Sequence, residues 1–254
     1  MKSKTKENLS RFENLTYDDF RKMAKDPSLS DHEKIGFPNS YREEKEQFIF
    51  DDILSKIPAL GGENKTVLDI GPGCGPLARI IIQFCKEHNH QLVLVDSSEM
   101  LALIDNEDFI KKIDAYYPDI PELFSDYSGK FDVILTYSVL HYIFVESNLW
   151  RFVDKSLELL ASGGSMLIGD IPNFSKRKRF FSSDTGKQFH RNFTGQDEDP
   201  ELHYNQLESE NMDDSVIFAI AQRVRLQGFD SYILPQSKDL PMANRREDIL
   251  ISRP

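Results

Sequence analysis

The chain has 254 residues, of which 39% are hydrophobic and 29% are charged, a composition typical of a globular protein rather than a disordered one. Its formal net charge of −11 argues against a broad nucleic-acid surface, because such a surface neutralises phosphates with lysine and arginine. The longest apolar runs are too short to span a bilayer. The charged first ten residues do not resemble a secretory signal, so we expect a cytoplasmic protein without a membrane partner.

Residues 1–60 are predicted to form an N-terminal helical segment or cap. Helices are expected over 17–25 and 43–56, where apolar side chains recur at helical spacing. Between them, residues 31–41 bring glycine, proline and asparagine close together, which predicts a loop.

Residues 61–170 alternate short apolar runs with amphipathic stretches, which predicts a cofactor-binding core. Strands are expected over 66–70, 91–95, 131–136 and 165–169, and helices over 77–86, 98–105 and 149–160. Strands that alternate with helices favour a parallel sheet covered on both faces.

The alternation stops after residue 170. Residues 171–211 are polar and lack a clear period, which predicts a substrate lid or insertion. Residues 212–254 return to the same domain with a helix over 213–226 and strands over 232–234 and 248–252. We interpret these two strands as an antiparallel pair that closes the edge of the sheet.

A glycine cluster follows the first predicted strand and opens the next helix, with Gly71, Gly73 and Gly75 in the pattern G-x-G-x-G. Such a loop lets the backbone approach a ligand closely, and dinucleotide-binding enzymes use the same place. Here Pro76 stands where their last glycine is expected, and Asp69 precedes the loop. A carboxylate at that point would repel a pyrophosphate but suits an ammonium group, such as that of S-adenosylmethionine.

A second acid, Asp96, ends the next predicted strand and is followed by Ser97. From the end of that strand, a carboxylate can accept two hydrogen bonds from a ribose diol. Alone, Asp96 would more often cap a helix, but the glycine loop upstream favours ribose binding.

The segments VLDIGPGCG, LVLVDSS, FDVILTYSVLHYI and LLASGGSMLIGD together resemble the class I S-adenosylmethionine-dependent methyltransferases, in particular bacterial small-molecule enzymes, over about residues 65–170. The resemblance implies an α/β Rossmann-like methyltransferase fold, with a mostly parallel seven-stranded sheet, helices on both faces and an antiparallel last strand. It implies S-adenosyl-L-methionine as the cofactor and S-adenosyl-L-homocysteine as the product, and no metal is expected.

The same resemblance implies roles for individual residues. The glycine-loop role falls on the three glycines and the ribose-binding role on Asp96, whereas Asp114 and Ala115 match the adenine-binding position. Asp114 could instead be a solvated loop acid. Contacts to the methionine part of the cofactor fall on Tyr137 and Ser138. The lead-in IGFPNSYREE places Tyr41 and Arg42 over the cofactor, with Arg42 near its carboxylate, or alternatively in a surface loop.

Candidate catalytic residues follow the fourth and fifth strands. His141 is the best candidate for a general base, because an imidazole titrates near neutral pH, and Tyr142 is its orienting partner. Asp170 is a second candidate. The alternatives are a histidine that packs on the following helix and an acid that caps a loop.

A basic segment over 176–191 departs from the acidic background of the chain. Lys176, Arg179 and His190, together with the distant Arg245, are candidate substrate-binding residues for an anionic small molecule such as a phosphorylated or nucleotide-linked sugar. The alternative is a solvated basic loop that its phenylalanines dock to the core.

The sequence therefore predicts methyl transfer to an oxygen or nitrogen atom of a small molecule. Two other hypotheses stay open: a nucleotide-dependent oxidoreductase, and an inactive methyltransferase-like module that binds a partner. Nucleic-acid methylation is disfavoured, because Thr136–Val139 do not form the Asn/Asp-Pro-Pro-aromatic tetrad of base N-methylating enzymes.

Overall fold

Seven strands form one sheet in the order β3-β2-β1-β4-β5-β7-β6 in the computed structural model, which describes residues 9–12, 14–204, 206 and 209–254. The strands are β1 (Thr66–Ile70), β2 (Gln91–Asp96), β3 (Ile110–Asp114), β4 (Phe131–Tyr137), β5 (Leu160–Pro172), β6 (Asp230–Pro235) and β7 (Arg246–Ser252). The first eight residues, which carry most of the charged start of the predicted cap, lie outside the described residues, as do residues 205, 207 and 208 of the predicted insertion.

The first five strands run parallel, and β7 lies antiparallel to both β5 and β6. This confirms the predicted Rossmann-like sheet and the antiparallel pair at its edge. The chain order reverses between β1 and β4, where Leu68 lies opposite Ile134. Crevices for ligands form beyond the carboxyl ends of strands at such a reversal point.

The helices mostly follow the strands. They are α1 (Tyr17–Lys25), α2 (Asp31–Lys34), α3 (Asn39–Arg42), α4 (Glu46–Lys56), α5 (Pro76–Glu87), α6 (Ser98–Leu101), α7 (Pro121–Tyr127), α8 (Leu140–Glu146), α9 (Leu149–Leu159), α10 (Phe174–Ser182), α11 (Asp184–Thr194) and α12 (Asp214–Leu226). Three 3-10 turns cover Leu9–Phe12, Pro58–Gly61 and Ala243–Arg245.

Helices cover both faces of the sheet. On one face α4 and α5 pack on alternate strand residues such as Val67, and on the other α7, α9 and α12 pack on the intervening residues such as Leu68. Because side chains alternate across a strand, the central strands must be apolar at nearly every position to be buried on both faces. This explains why they appear in the sequence as continuous apolar runs.

The predicted loop over 31–41 is wrong in part, because it contains α2 and the start of α3. Ser30 caps α2: its hydroxyl accepts a hydrogen bond from the Glu33 amide at 3.3 Å, and its own amide donates to the Glu33 carboxylate at 2.8 Å. This capping box satisfies amides that would otherwise disfavour so short a helix. The predicted helices over 43–56 and 98–105 are also shorter, beginning at Glu46 and ending at Leu101.

Residues 171–211, which lack a clear period in the sequence, nevertheless contain the two helices α10 and α11. The Asn173 side chain accepts from the Lys176 amide at 3.0 Å, and the Ser183 hydroxyl accepts from the Gly186 amide at 3.1 Å. Each of these residues caps one helix, and Gly195 ends α11 in the left-handed conformation.

In the described part of the chain, none of the helices combines the length and the apolar character that a membrane crossing requires.

Candidate functional site

The glycine loop lies between β1 and α5, and its backbone has conformations that favour glycine. Gly71 and Gly73 have φ of +72° and +63°, and the Gly71 amide donates to the Val95 carbonyl at 2.9 Å. A Cβ atom added at Gly73 would lie 2.6 Å from Cγ2 of Ile35, far inside van der Waals contact. The loop therefore leaves room for backbone only, and the N-terminal segment packs directly on it.

Asp96 stands at the carboxyl end of β2 and turns its side chain toward the loop. One carboxylate oxygen accepts from the Gly73 amide at 2.9 Å and the other from the Ser97 amide at 2.7 Å. Burial raises the pKa of Asp96 to about 6, although these two hydrogen bonds favour the ionised form. Each oxygen keeps a free lone pair, so the carboxylate can accept from a pair of hydroxyl groups.

Asp69, in β1, is the second buried acid of the site, with 3% of its surface exposed. Burial and the nearby charge of Asp96 raise its pKa to about 8, and no hydrogen bond from another described residue offsets them. At neutral pH the carboxyl group is therefore mostly protonated. A cationic group placed beside it would restore the carboxylate and form an ion pair.

A cluster of charged side chains closes the other end of the site. Arg42 donates to the hydroxyl of Ser138 and, at 2.9 Å, to the carboxylate of Asp170, which also accepts from Arg246 at 3.0 Å. Ser138 and Asp170 both have positive φ, of 63° and 59°. Burial alone would raise the pKa of Asp170, but the two guanidinium groups and the hydrogen bonds from Ser138 and Gln236 outweigh it, so the pKa lies below its usual value. An acid held ionised in this way is a poor general base.

The glycine loop, the two acids Asp69 and Asp96, and the Arg42–Ser138 pair line one cavity. Helix α1 covers this cavity, and aromatic side chains form its walls. Two edge-to-face ring pairs join the roof to the walls: Tyr17 with Tyr116 at 5.0 Å, and Phe20 with Tyr142 at 4.9 Å between centroids. The predicted site residues that line the cavity are Arg42, Asp69, Gly71, Gly73, Gly75, Asp96, Ala115, Tyr137, Ser138 and Tyr142.

The remaining predicted residues do not contribute to the described lining: Tyr41, Ser97, Asp114, His141, Asp170, Lys176, Arg179, His190 and Arg245. Ser97 instead caps α6, where its hydroxyl accepts from the Met100 amide at 3.3 Å. Asp114 is exposed to solvent at the end of β3.

His141 lies one residue before the cavity wall and is half-buried. Its ring is 4.0 Å from that of Tyr142, and its Nδ1 atom is buried without a hydrogen-bond partner among the described residues. Burial and the charge of Arg246 lower the pKa of His141 to about 3. The ring is neutral at pH 7, but an imidazole with so low a pKa is a weak base.

The basic residues after β5 form hydrogen bonds and ion pairs with different parts of the chain instead of clustering together. Lys176 donates to the Arg246 carbonyl at 2.7 Å and lies 3.8 Å from the Glu247 carboxylate, and Arg179 pairs with Asp214. His190 is half-buried, with its ring 6.2 Å from that of Phe181. The structure therefore does not gather the predicted anion-binding residues at the cavity.

The cavity also contains residues that the sequence analysis missed: Tyr17, Phe20, Ile35, Phe37, Met100, Tyr116 and Glu146. The helix that carries Tyr17 and Phe20 was predicted, but nothing local in the sequence indicates that it packs across the glycine loop.

Over the described residues, His, Cys, Asp and Glu side chains form no group of three that could hold a metal ion.

Comparison with known proteins gives two results. A family model described as a methyltransferase domain matches residues 41–205, more than half of the chain. Among solved structures, the chain is similar to the N-methyltransferase NodS from Bradyrhizobium japonicum WM9 in complex with S-adenosyl-L-homocysteine, at 12% identity and a TM-score of 0.55, with 94% of this chain and 98% of that chain covered.

It is similar as well to the plantazolicin methyltransferase BpumL in complex with SAH, at 14% identity and a TM-score of 0.58 over 92% of this chain and 95% of that one. A SAM-dependent methyltransferase from Aquifex aeolicus matches at 14% identity and a TM-score of 0.54, covering 89% of this chain and 100% of the other. At such low identity these likenesses establish the Rossmann-like methyltransferase fold.

Proposed function

Since the chain belongs to the methyltransferase-domain family, we propose that it transfers the methyl group of S-adenosyl-L-methionine to an oxygen or nitrogen atom of a small molecule. The observation that carries the proposal is the pair of acids at the glycine loop, the buried Asp69 and the half-buried Asp96. One of them has no hydrogen-bond donor among the described residues, and the other has free lone pairs. These are the partners that an ammonium group and a ribose diol require.

The proposal assigns residues of the cavity to each part of this cofactor. Asp96 would accept from the ribose hydroxyls, Asp69 would pair with the ammonium group, and Arg42, at the charged end of the cavity, would attract the carboxylate. The Ala115 backbone and the exposed Asp114 are the proposed adenine contacts. When bound, the cofactor supplies a methyl group already activated on a sulfonium.

The chain itself has to align the acceptor and exclude water, because an in-line displacement depends chiefly on positioning. The aromatic side chains of α1 and α8 provide a dry wall, with Phe20 packed on Tyr142. Burial raises the pKa of Tyr142 to about 12, so its phenol stays protonated and can donate a hydrogen bond to the acceptor. His141, with its low pKa, would accept a proton only weakly.

The proposal also assigns a role to each segment of the chain. Residues 1–60 would cap the cavity, residues 61–170 would bind the cofactor, residues 171–211 would border the acceptor, and residues 212–254 would complete the sheet. The names of NodS, an N-methyltransferase, and of BpumL, which acts on plantazolicin, support a small-molecule acceptor without specifying it.

Calorimetric titration tests the proposal. We expect S-adenosyl-L-methionine and S-adenosyl-L-homocysteine to bind at micromolar concentration, and NADH not to bind. Asp96→Asn should weaken binding about tenfold or more, because it removes charge-assisted hydrogen bonds. The matched control is Glu107→Gln, an acid on the protein surface whose carboxylate pairs with Lys86 at 2.9 Å. Binding of NADH alone would point to the oxidoreductase, and binding of none of the three ligands would point to a partner-binding module.

A further inference from the structure

Two arginines near the carboxyl end of β5 have no acidic partner in the part of the chain that the structure describes. Arg177 belongs to α10 and Arg245 to the 3-10 turn before β7. Neither guanidinium forms an ion pair with a described carboxylate, and the hydrogen bond that Arg245 donates goes to the side-chain oxygen of Asn244 at 3.4 Å. This separates them from Lys176 and Arg179, whose charges are compensated.

The two guanidinium groups share one aromatic ring. The Cζ atom of Arg177 lies 5.4 Å from the centroid of Phe181, and that of Arg245 lies 5.8 Å from it. Phe181 is 8% exposed, so its ring is a fixed part of the core surface. Both cations therefore border the same ring, and each presents a fork of N–H donors to which an anion can bind.

Within this pair, Arg177 is exposed to solvent, whereas the half-buried Arg245 is unfavourable without a counter-charge. Burial, followed by the charges of Arg246 and Arg177, lowers the pKa of Arg245. Asp170, the partner of the adjacent Arg246, is already shared with Arg42. In a chain with a net charge of −11, acidic side chains are abundant, yet none of the described carboxylates forms an ion pair with either arginine. An external anion would supply the missing charge.

The pair adjoins the cavity through its neighbours. Arg246, the next residue after Arg245, binds Asp170, which in turn binds Arg42 in the cavity wall. Tyr41, next to Arg42, is close enough to influence the pKa of Arg245. This series of contacts connects the two arginines to the Arg42 end of the cavity.

We infer that Arg177 and Arg245, supported by Phe181, bind an oxyanion of the acceptor, either a carboxylate or a phosphate. The identification of the anion as part of the acceptor rests on the proposed function, whereas the anion site itself does not. The site differs from the one that the sequence suggests, because it keeps Arg245 but has Arg177 in place of Lys176, Arg179 and His190.

The test is a titration with inorganic phosphate, and separately with benzoate, followed by NMR of the arginine Nε–H signals. It is performed on the protein alone and on protein saturated with S-adenosyl-L-homocysteine, so that binding in the cofactor cavity is recognised. The variants are Arg177→Gln, Arg245→Gln and Arg245→Lys. The control Arg191→Gln removes the same charge from α11, where that arginine pairs with Asp199 at 2.8 Å.

We expect at least one of the two anions to shift the signals of Arg177 and Arg245. Each glutamine variant should raise its Kd about tenfold or more, since a charge-assisted hydrogen bond is lost. Arg245→Lys should retain part of the affinity, and Arg191→Gln should retain all of it. Preference for phosphate or for benzoate identifies the class of acceptor to screen.

The inference is overturned if neither anion shifts these signals, or if Arg191→Gln weakens binding as much as the other variants. Titration of each variant with S-adenosyl-L-homocysteine checks that the cofactor cavity is intact. Failure of the anion site with intact cofactor binding leaves the methyltransferase proposal standing. Failure of cofactor binding in the wild-type protein counts against that proposal alone.

Discussion

The carboxyl group of Asp69 is expected to release a proton when S-adenosyl-L-homocysteine binds. Its pKa of about 8 in the free protein has two causes, burial first and the charge of Asp96 second. An ammonium group next to the carboxylate opposes both causes and lowers the pKa. Because the free protein holds the proton and the complex does not, binding becomes tighter as the pH rises.

The magnitude follows from the pKa. At pH 7 about nine-tenths of Asp69 is protonated in the free protein, so binding should release close to one proton. Between pH 6.5 and 7.5 the Kd should fall about eightfold, which corresponds to about 1.2 kcal/mol. Above pH 8 the gain should end and then reverse, since Asp69 is already ionised and the α-ammonium group of the ligand begins to lose its proton. Asp96, with a pKa of about 6, is mostly ionised over this range and adds little.

Calorimetry in two buffers with different ionisation enthalpies measures the released proton, and Kd values at several pH values measure the slope. Asp69→Asn removes the titrating group and should abolish both effects. A second control uses 5′-methylthioadenosine, which has the adenosine and the sulfur but lacks the α-amino and carboxylate groups of the amino-acid part. A flat profile in the wild-type protein, or a slope that persists in Asp69→Asn, would refute the reasoning.

Three further outcomes are expected. Gly73→Ala should lower the free energy of unfolding by more than the ~1–3 kcal/mol that a non-glycine residue at positive φ costs. Gly163→Ala, which has open space for its Cβ atom, should cost only that backbone strain. Equal Tm values of the two variants in scanning calorimetry would contradict this expectation. Asp114→Asn should raise the Kd of S-adenosyl-L-homocysteine by no more than about threefold, since the carboxylate proposed to contact the adenine is exposed to solvent; a larger loss by calorimetry would contradict this modest contribution, and no loss would contradict the contact itself. His141→Gln should reduce kcat less than about tenfold with any acceptor found, because its pKa is about 3, whereas a loss of about a hundredfold or more would identify it as a general base.

The core of the fold could be predicted from the sequence because its signals are local. The strand over Thr66–Ile70 is an apolar run of strand length that ends at a glycine loop, and both features lie within ten residues of each other. The acids that end or adjoin strands, Asp69 and Asp96, could be assigned to the cavity for the same reason, since the carboxyl ends of parallel strands share one edge of the sheet.

The rest of the site depends on contacts between distant parts of the chain. Arg42 and Asp170 are 128 residues apart, and no periodicity indicates that they pair. Lys176 and Arg179 looked like free cations, but Glu247 and Asp214 compensate them from segments far along the chain. Which cation stays unpaired is therefore decided by packing and could not be predicted from the composition of the segment.

Most buried charged side chains among the described residues have a partner that compensates their charge. The few that have none therefore require an explanation. Asp248, fully buried, accepts from Lys56 at 2.7 Å and from the Asp170 amide at 2.8 Å. A protein that can neutralise an acid so deep in its sheet has no structural reason to leave Asp69 without a donor. The same holds, with opposite sign, for the half-buried Arg245, beside which Arg177 adds an exposed positive charge. Because, among the described residues, the acid without a donor lies at the glycine loop and the two arginines without an acidic partner lie beyond the β5 end, a cationic cofactor group and an anionic acceptor group would each meet a complementary charge.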